Sequence, residues 1–226
     1  MIEYLFLDLD DTILDFQAAE RVAIPITFRA FGIEPTEEIV DLYKKINRRQ
    51  WQLMEEGKLN RDEVVIRRFV LLFQELGVTE DPEKCAFAYM DNLCLDHYYL
   101  PGAEAAVKAL SKKYRLFIAT NGTTAVQQRR MESADLYPYF EKVFISGEIG
   151  ADKPAVAFFE CCFAQIPGFD KSKAMIVGDS LTSDIRGGQQ AGIKTCWVNP
   201  THKAGDISPD YEIESITQLE ALLEKL

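Results

Sequence analysis

Asp8-Leu9-Asp10-Asp11-Thr12 closes an apolar run that begins at Tyr4, and Gly178-Asp179-Ser180 closes a second run over Met175 to Val177, with Asp184 shortly after it. Alternate residues of a strand share a face, and a chain that curls as its strand ends can turn Asp8 and Asp10 toward one point. Carboxylates gathered at one point repel. Two unit charges 4 Å apart cost roughly 4 kcal/mol at an effective dielectric of about 20, so such a cluster needs a cation, a proton or a basic neighbour. A set made only of oxygen ligands, Asp8, Asp10, Asp179 and Asp184, suits Mg²⁺ better than zinc, and His97 and His202 are too few and too isolated for a zinc cage. The four carboxylates with Lys153 and a divalent ion leave a single net negative charge, a balance suited to phosphoryl transfer. A carboxylate can attack phosphorus to form an aspartyl-phosphate, while a metal and a lysine neutralise the transferring oxygens. A second carboxyl group can protonate the leaving oxygen and then deprotonate water.

These residues need a scaffold that brings strand ends together. Tyr4 to Leu9, Leu116 to Ala119, Val143 to Ile145, Met175 to Val177 and Thr195 to Val198 are short apolar runs of the kind that fill parallel strands buried on both faces. Helical patterns over about 103–112, 124–134, 155–164, 182–191 and 216–226 alternate with them, which predicts an open α/β sheet with polar groups collected at the strand carboxyl ends. The block from 15 to 99 has no convincing strand. There Asn60 with Glu63 resembles a capping box, Asp81-Pro82 places an acceptor at N-cap and proline at N1, and Val65, Phe69, Leu72 and Leu76 line one helix face. Leu100-Pro101-Gly102 reads as the hinge back to the sheet. The expected division is 1–14 with 100–226 as a catalytic core, and 15–99 as a helical insertion.

With 226 residues and 47% hydrophobic content, the chain can bury a sizeable core. Its net charge of −11 disfavours a surface that must neutralise nucleic-acid phosphates. The longest uncharged run, Leu116 to Gln128, is too short and too polar to span a membrane, which takes about 20 apolar residues. Acidic residues within the first eleven positions argue against a cleaved signal. Five cysteines without a C-x-x-C pair fit reduced thiols, so a cytoplasmic setting is expected. The Phe158-Phe159 and Cys161-Cys162 pairs read as helix core.

Taken together, D-x-D-x-T at Asp8 to Thr12, Thr120 after an apolar strand, Lys153-Pro154 and Gly178-Asp179-x-x-x-x-Asp184 resemble the four ordered motifs of the haloacid dehalogenase-like hydrolase superfamily. The resemblance implies an α/β fold, a Rossmann-like parallel sheet core of order 5-4-1-2-3 with an inserted all-helical cap, acting on a small-molecule phosphate ester with Mg²⁺. It makes Asp8 nucleophile and metal ligand, and Asp10 general acid/base with its backbone carbonyl on the metal. Thr120, Asn121 and Lys153 hold the phosphoryl group, Lys153 also stabilising the aspartyl-phosphate. Asp179 binds Mg²⁺, and Asp184 supports that site directly or through water. Asp10 argues for a phosphatase, because the dehalogenases themselves lack this acid. Thr120-Asn121-Gly122 with Gln127, Gln128 and Arg130, Gly187-Gly188-Gln189 and Thr195-Cys196-Trp197 are similar to the bacterial pyrimidine 5′-nucleotidase branch. Sugar-phosphate phosphatase and phosphoglucomutase-like isomerase are the alternatives. Trp51, Tyr98 and Tyr99 are candidate contacts for a leaving group, with helix or hinge packing as their plainer roles.

Overall fold

A computed structural model describes all residues from Met1 to Leu226, and it divides into two compact units, Met1–Phe16 with Tyr98–Leu226, and Gln17–His97. The first unit is built on a six-stranded parallel sheet of order β3-β2-β1-β4-β5-β6. Its strands are β1 (Tyr4–Leu7), β2 (Arg115–Thr120), β3 (Lys142–Ile145), β4 (Ala174–Gly178), β5 (Lys194–Val198) and β6 (Tyr211–Ile213). The expected order of five is present, and β6 extends it beyond β5. Only three residues long and polar at its centre (Glu212), β6 carries too little apolar pattern to be read from sequence.

The strands are apolar throughout because both faces are covered. Leu5, Leu7, Leu116, Ile118, Met175 and Val177 point into one core, which also takes Val107, Met131 and Leu219. Tyr4, Phe6, Phe117, Ala119, Ala174 and Ile176 point into the other, filled by Phe158, Phe159 and Cys162. The register pairs Leu7 with both Ile118 and Val177, so the carboxyl ends of β1, β2 and β4 open at the same edge of the sheet, β2 and β4 running one or two residues further. The first strand stops at Leu7 rather than at the expected Leu9, but the Asp8 N–H still donates to the Val177 carbonyl at 2.9 Å. That bond fixes Asp8 at the edge where the three strands open.

Ten helices complete the chain: α1 (Phe16–Ala30), α2 (Glu37–Glu55), α3 (Arg61–Leu76), α4 (Pro82–Asn92), α5 (Ala103–Leu110), α6 (Thr124–Ser133), α7 (Ser146–Ile149), α8 (Val156–Phe163), α9 (Arg186–Ala191) and α10 (Leu219–Leu223). Where one helix was expected over 182–191, the chain makes a π-helical turn, Leu181–Ile185, and then α9. The expected helix over 216–226 is a 3₁₀ turn, Ile216–Gln218, followed by the short α10. No helix is long and apolar enough to cross a membrane.

The second unit contains no strand. The Asn60 side chain accepts from the Glu63 N–H while Glu63 reaches back to the Asn60 N–H, and Asp81 caps α4 with Pro82 in its first turn. Phe28, Tyr43, Phe69 and Tyr89 form its aromatic centre, with ring centroids 5.4 to 5.6 Å apart between successive pairs. A cation is buried among them. Arg68 is 3% exposed, lies over the Tyr89 and Phe69 rings, and donates to Asn47, which also accepts from the Trp51 indole. The apolar face read from Val65, Phe69 and Leu72 therefore also carries a charge, which periodicity alone does not reveal. All five cysteines are free thiols.

Candidate active site

Asp8, Asp179 and Asp184 converge at the carboxyl edge of the sheet, each offering a carboxylate oxygen within 4.8 Å of the others. Three elements bring them there. Asp8 follows β1 directly, Asp179 follows β4, and the π-helical turn swings Asp184 back beneath the end of β4. Gly178 makes this last approach possible, since a Cβ there would stand 2.2 Å from Asp184 Oδ2. Both oxygens of Asp184 are engaged, one accepting from the Ser180 N–H at 3.1 Å and the other from Lys153 Nζ at 2.6 Å. The Trp197 indole donates to the Asp179 carbonyl at 2.8 Å and steadies that turn.

Lys153 is the buried counter-charge, 1% exposed, with Nζ also donating to Asp8 Oδ1 at 2.8 Å and to the Ala119 carbonyl at 2.6 Å. Burial pushes its ammonium down, but the carboxylates of Asp184 and Asp8 more than reverse that and hold it above the ordinary lysine range. Asp8 is pushed up to about 7, chiefly by burial and then by Asp184 and Asp10, with Lys153 opposing. Asp179 is raised well above the usual carboxylate value by burial, Asp8, Asp184 and Asp11 in that order. One lysine does not satisfy two buried carboxylates and a half-buried third, and their all-oxygen donor set fits a hard divalent cation.

A family model for haloacid dehalogenase-like hydrolases matches residues 4–198, which hold β1 to β5 and every motif just described. The chain belongs to that family. Among solved structures, the HAD-hydrolase YfnB of Bacillus subtilis, in a crystal form bound to magnesium, superposes with a TM-score of 0.93 at 40% identity, covering 98% of both chains. The chain is also 38% identical to pyrimidine 5′-nucleotidase PynA of Streptococcus pneumoniae over 99% of this chain and 95% of that one. It is 31% identical to pyrimidine 5′-nucleotidase YjjG of Escherichia coli over 98% and 97%.

In this haloacid dehalogenase-like hydrolase, Asp10 and Thr120 are joined through Gln127, singled out above only for its likeness to the nucleotidase branch. Gln127 Nε2, on α6, donates to Asp10 Oδ2 at 2.9 Å and to Thr120 Oγ1 at 2.8 Å. Arg130, one turn further along α6, pairs with Asp10 Oδ1 and donates to Gln127 Oε1 at 3.1 Å. It supplies a second cation, so the site with a divalent ion is balanced rather than one charge negative. Asn121, expected to contact the phosphoryl group, has its side chain turned to the backbone of Lys153. Its side-chain amide donates to the Lys153 carbonyl and accepts from the Lys153 N–H, both at 2.9 Å, which fixes the loop that delivers the lysine. Of the aromatic candidates, Tyr99 packs on the sheet core and donates its hydroxyl to the Ala134 carbonyl at 2.5 Å, Tyr98 is half-buried, and Trp51 is half-buried with its indole held by Asn47.

Proposed function

We propose that the protein is a Mg²⁺-dependent phosphomonoester hydrolase working through an aspartyl-phosphate on Asp8, and that its substrates are pyrimidine nucleoside 5′-monophosphates. The observation that carries the reading is the buried Asp8 carboxylate held by Lys153 beside Asp179 and Asp184 at the open edge of the sheet. Asp8, Asp179 and the Asp10 carbonyl would hold the ion, with Asp184 in support; when bound, the ion offsets the charge of the carboxylates and of the phosphoryl oxygens.

The remaining chemistry belongs to the chain's own groups. Lys153 occupies Asp8 Oδ1, which leaves Oδ2 to attack phosphorus as the bond to the leaving oxygen breaks. Asp10 delivers a proton to that oxygen, then removes one from the water that attacks the acyl phosphate, releasing inorganic phosphate and regenerating Asp8. The Thr120 hydroxyl and the Lys153 ammonium bind the transferring oxygens.

These groups address only the phosphoryl centre, so selection of the ester is assigned to the helical unit Gln17–His97, in the role of a cap, with Trp51 as the first contact to test. The names of the PynA and YjjG relatives support a pyrimidine nucleotide as substrate. The test is phosphate release from a panel of nucleoside monophosphates and sugar phosphates with Mg²⁺. The expected result is a higher kcat/KM for UMP, CMP or dTMP than for any sugar phosphate, and the reverse order removes the nucleotidase reading while leaving the phosphatase in place.

A further inference from the structure

We propose that Gln127 and Arg130 form a positioning relay that sets Asp10 for proton transfer and turns the Thr120 hydroxyl outward as a donor to the phosphoryl group. The inference rests on the phosphatase reading above and goes beyond it by assigning two residues that act through others. Both residues are 2% exposed, so their side chains turn to protein partners. Three residues apart on α6, they share one helix face.

The bonding pattern admits one orientation of the amide. Gln127 Oε1 accepts from Arg130, and Nε2 donates to Asp10 and to Thr120, so both amide hydrogens are used. A flipped amide would press Oε1 against the Asp10 carboxylate and turn Nε2 toward a cation. Both Asp10 oxygens are therefore held from the same helix, Oδ2 by Gln127 and Oδ1 by Arg130. Thr120 has one O–H and two lone pairs, and the bond from Gln127 takes a lone pair. The acceptor left to its O–H is the Asn121 carbonyl at 3.4 Å, too distant to hold the hydrogen against a phosphoryl oxygen. The surroundings make room for this arrangement. A Cβ at Gly122 would stand 3.0 Å from Gln127 Cγ, and Arg130 is steadied 5.5 Å over the Phe16 ring.

The experiment separates positioning from support of the fold by varying the leaving group. A nitrophenolate departs with little help from an acid, whereas the 5′-oxygen of UMP needs the proton from Asp10. Single-turnover release of each leaving group is followed with Mg²⁺ for wild type, Gln127→Met, Gln127→Glu, Arg130→Met and Arg130→Lys, with thermal unfolding of each protein alongside. Positioned acids contribute about 10²- to 10⁴-fold, so Gln127→Met should slow UMP cleavage by roughly 100-fold and 4-nitrophenyl phosphate cleavage by less than about 10-fold. Gln127→Glu keeps the shape and the bond from Arg130 while placing an oxygen against Asp10, and it should show the same selective loss even where Gln127→Met folds poorly. Arg130→Lys should recover part of what Arg130→Met loses. In an Asp10→Asn background, Gln127→Met should no longer change the ratio of the two rates. Equal losses on both esters, or none, in the two Gln127 variants overturn the relay and leave the phosphatase standing. A wild-type protein that hydrolyses neither ester with Mg²⁺ removes the phosphatase reading itself, and the relay with it.

Discussion

Replacing Asp8 with asparagine should abolish turnover and, with the metal chelated, make the protein more stable. Asp8 is 8% exposed and pushed up from 3.8 to about 7, mainly by burial. At 1.36 kcal/mol per pKa unit, keeping this carboxylate ionised in the metal-free fold costs about 4 kcal/mol. Because the folded value is raised, the stability associated with Asp8 is fully present below its unfolded pKa near 4 and is lost as the pH rises through 7. An asparagine keeps the shape without the charge. The variant should therefore exceed wild type by about 4 kcal/mol at pH 8 and by less than half of that at pH 5. For a chain of this length, 1 kcal/mol moves Tm by about 2 to 4 °C, so the gap at pH 8 is on the order of 10 °C. The assay is calorimetric unfolding of both proteins in chelator at the two pH values, then with Mg²⁺. Ligand bound at 100 times its Kd adds about 2.7 kcal/mol, a gain that wild type should show and a variant stripped of a metal ligand should largely lack. A variant less stable than wild type at pH 8 in chelator, or a difference that does not change with pH, would refute the electrostatic account. Retention of a tenth of wild-type turnover would reject Asp8 as nucleophile.

Three further outcomes follow from the same geometry. Asp10→Asn should slow turnover by about 10²- to 10⁴-fold while Mg²⁺ binding, followed by calorimetric titration, is largely retained; a collapse of binding would place the side chain rather than the backbone carbonyl on the metal. Chelation should stop catalysis and Mg²⁺ restore it, whereas Ca²⁺, with longer bonds and more ligands, should compete without supporting turnover, and full activity after exhaustive chelation would overturn the mechanism. Lys153→Met removes the cation buried between Asp8 and Asp184 and should cost about 3 to 5 kcal/mol in denaturant unfolding with chelator present, part of which Mg²⁺ restores; an unchanged midpoint would mean that the two carboxylates share a proton instead.

Three of the four motifs were legible because each sits where an apolar strand stops, Lys153-Pro154 lying instead in the loop after α7, and the alternation that buries Leu7, Ile118 and Val177 also lines up the strand ends that carry Asp8, Thr120 and Asp179. A parallel sheet covered on both faces writes itself as uninterrupted apolar runs, so five of its strands could be placed from composition alone. The sixth could not, since Tyr211–Ile213 is an edge strand held by Val198 and its neighbours rather than by a pattern of its own. The turn before α9 was hidden for a different reason. A single π turn of five residues, Leu181–Ile185, is too short for its wider spacing to show in an apolar pattern, and it carries Asp184 to a partner distant in sequence, Lys153.

Gln127 and Arg130 mark the deeper limit. The sequence marks them by their likeness to the nucleotidase branch but not by any apolar pattern, since polar residues outnumber apolar ones along α6, yet both are buried. Their burial follows from the site rather than from the helix. A carboxylate at Asp10 creates a demand for donors that α6 alone is placed to meet, and Arg130 can be buried at low cost because Asp10, Gln127 and the face of Phe16 receive it. The polarity that obscures these two residues in the sequence is thus the same property that makes α6 the wall of the site: an apolar helix would have packed better against the sheet and left Asp10 and Thr120 without a partner to orient them.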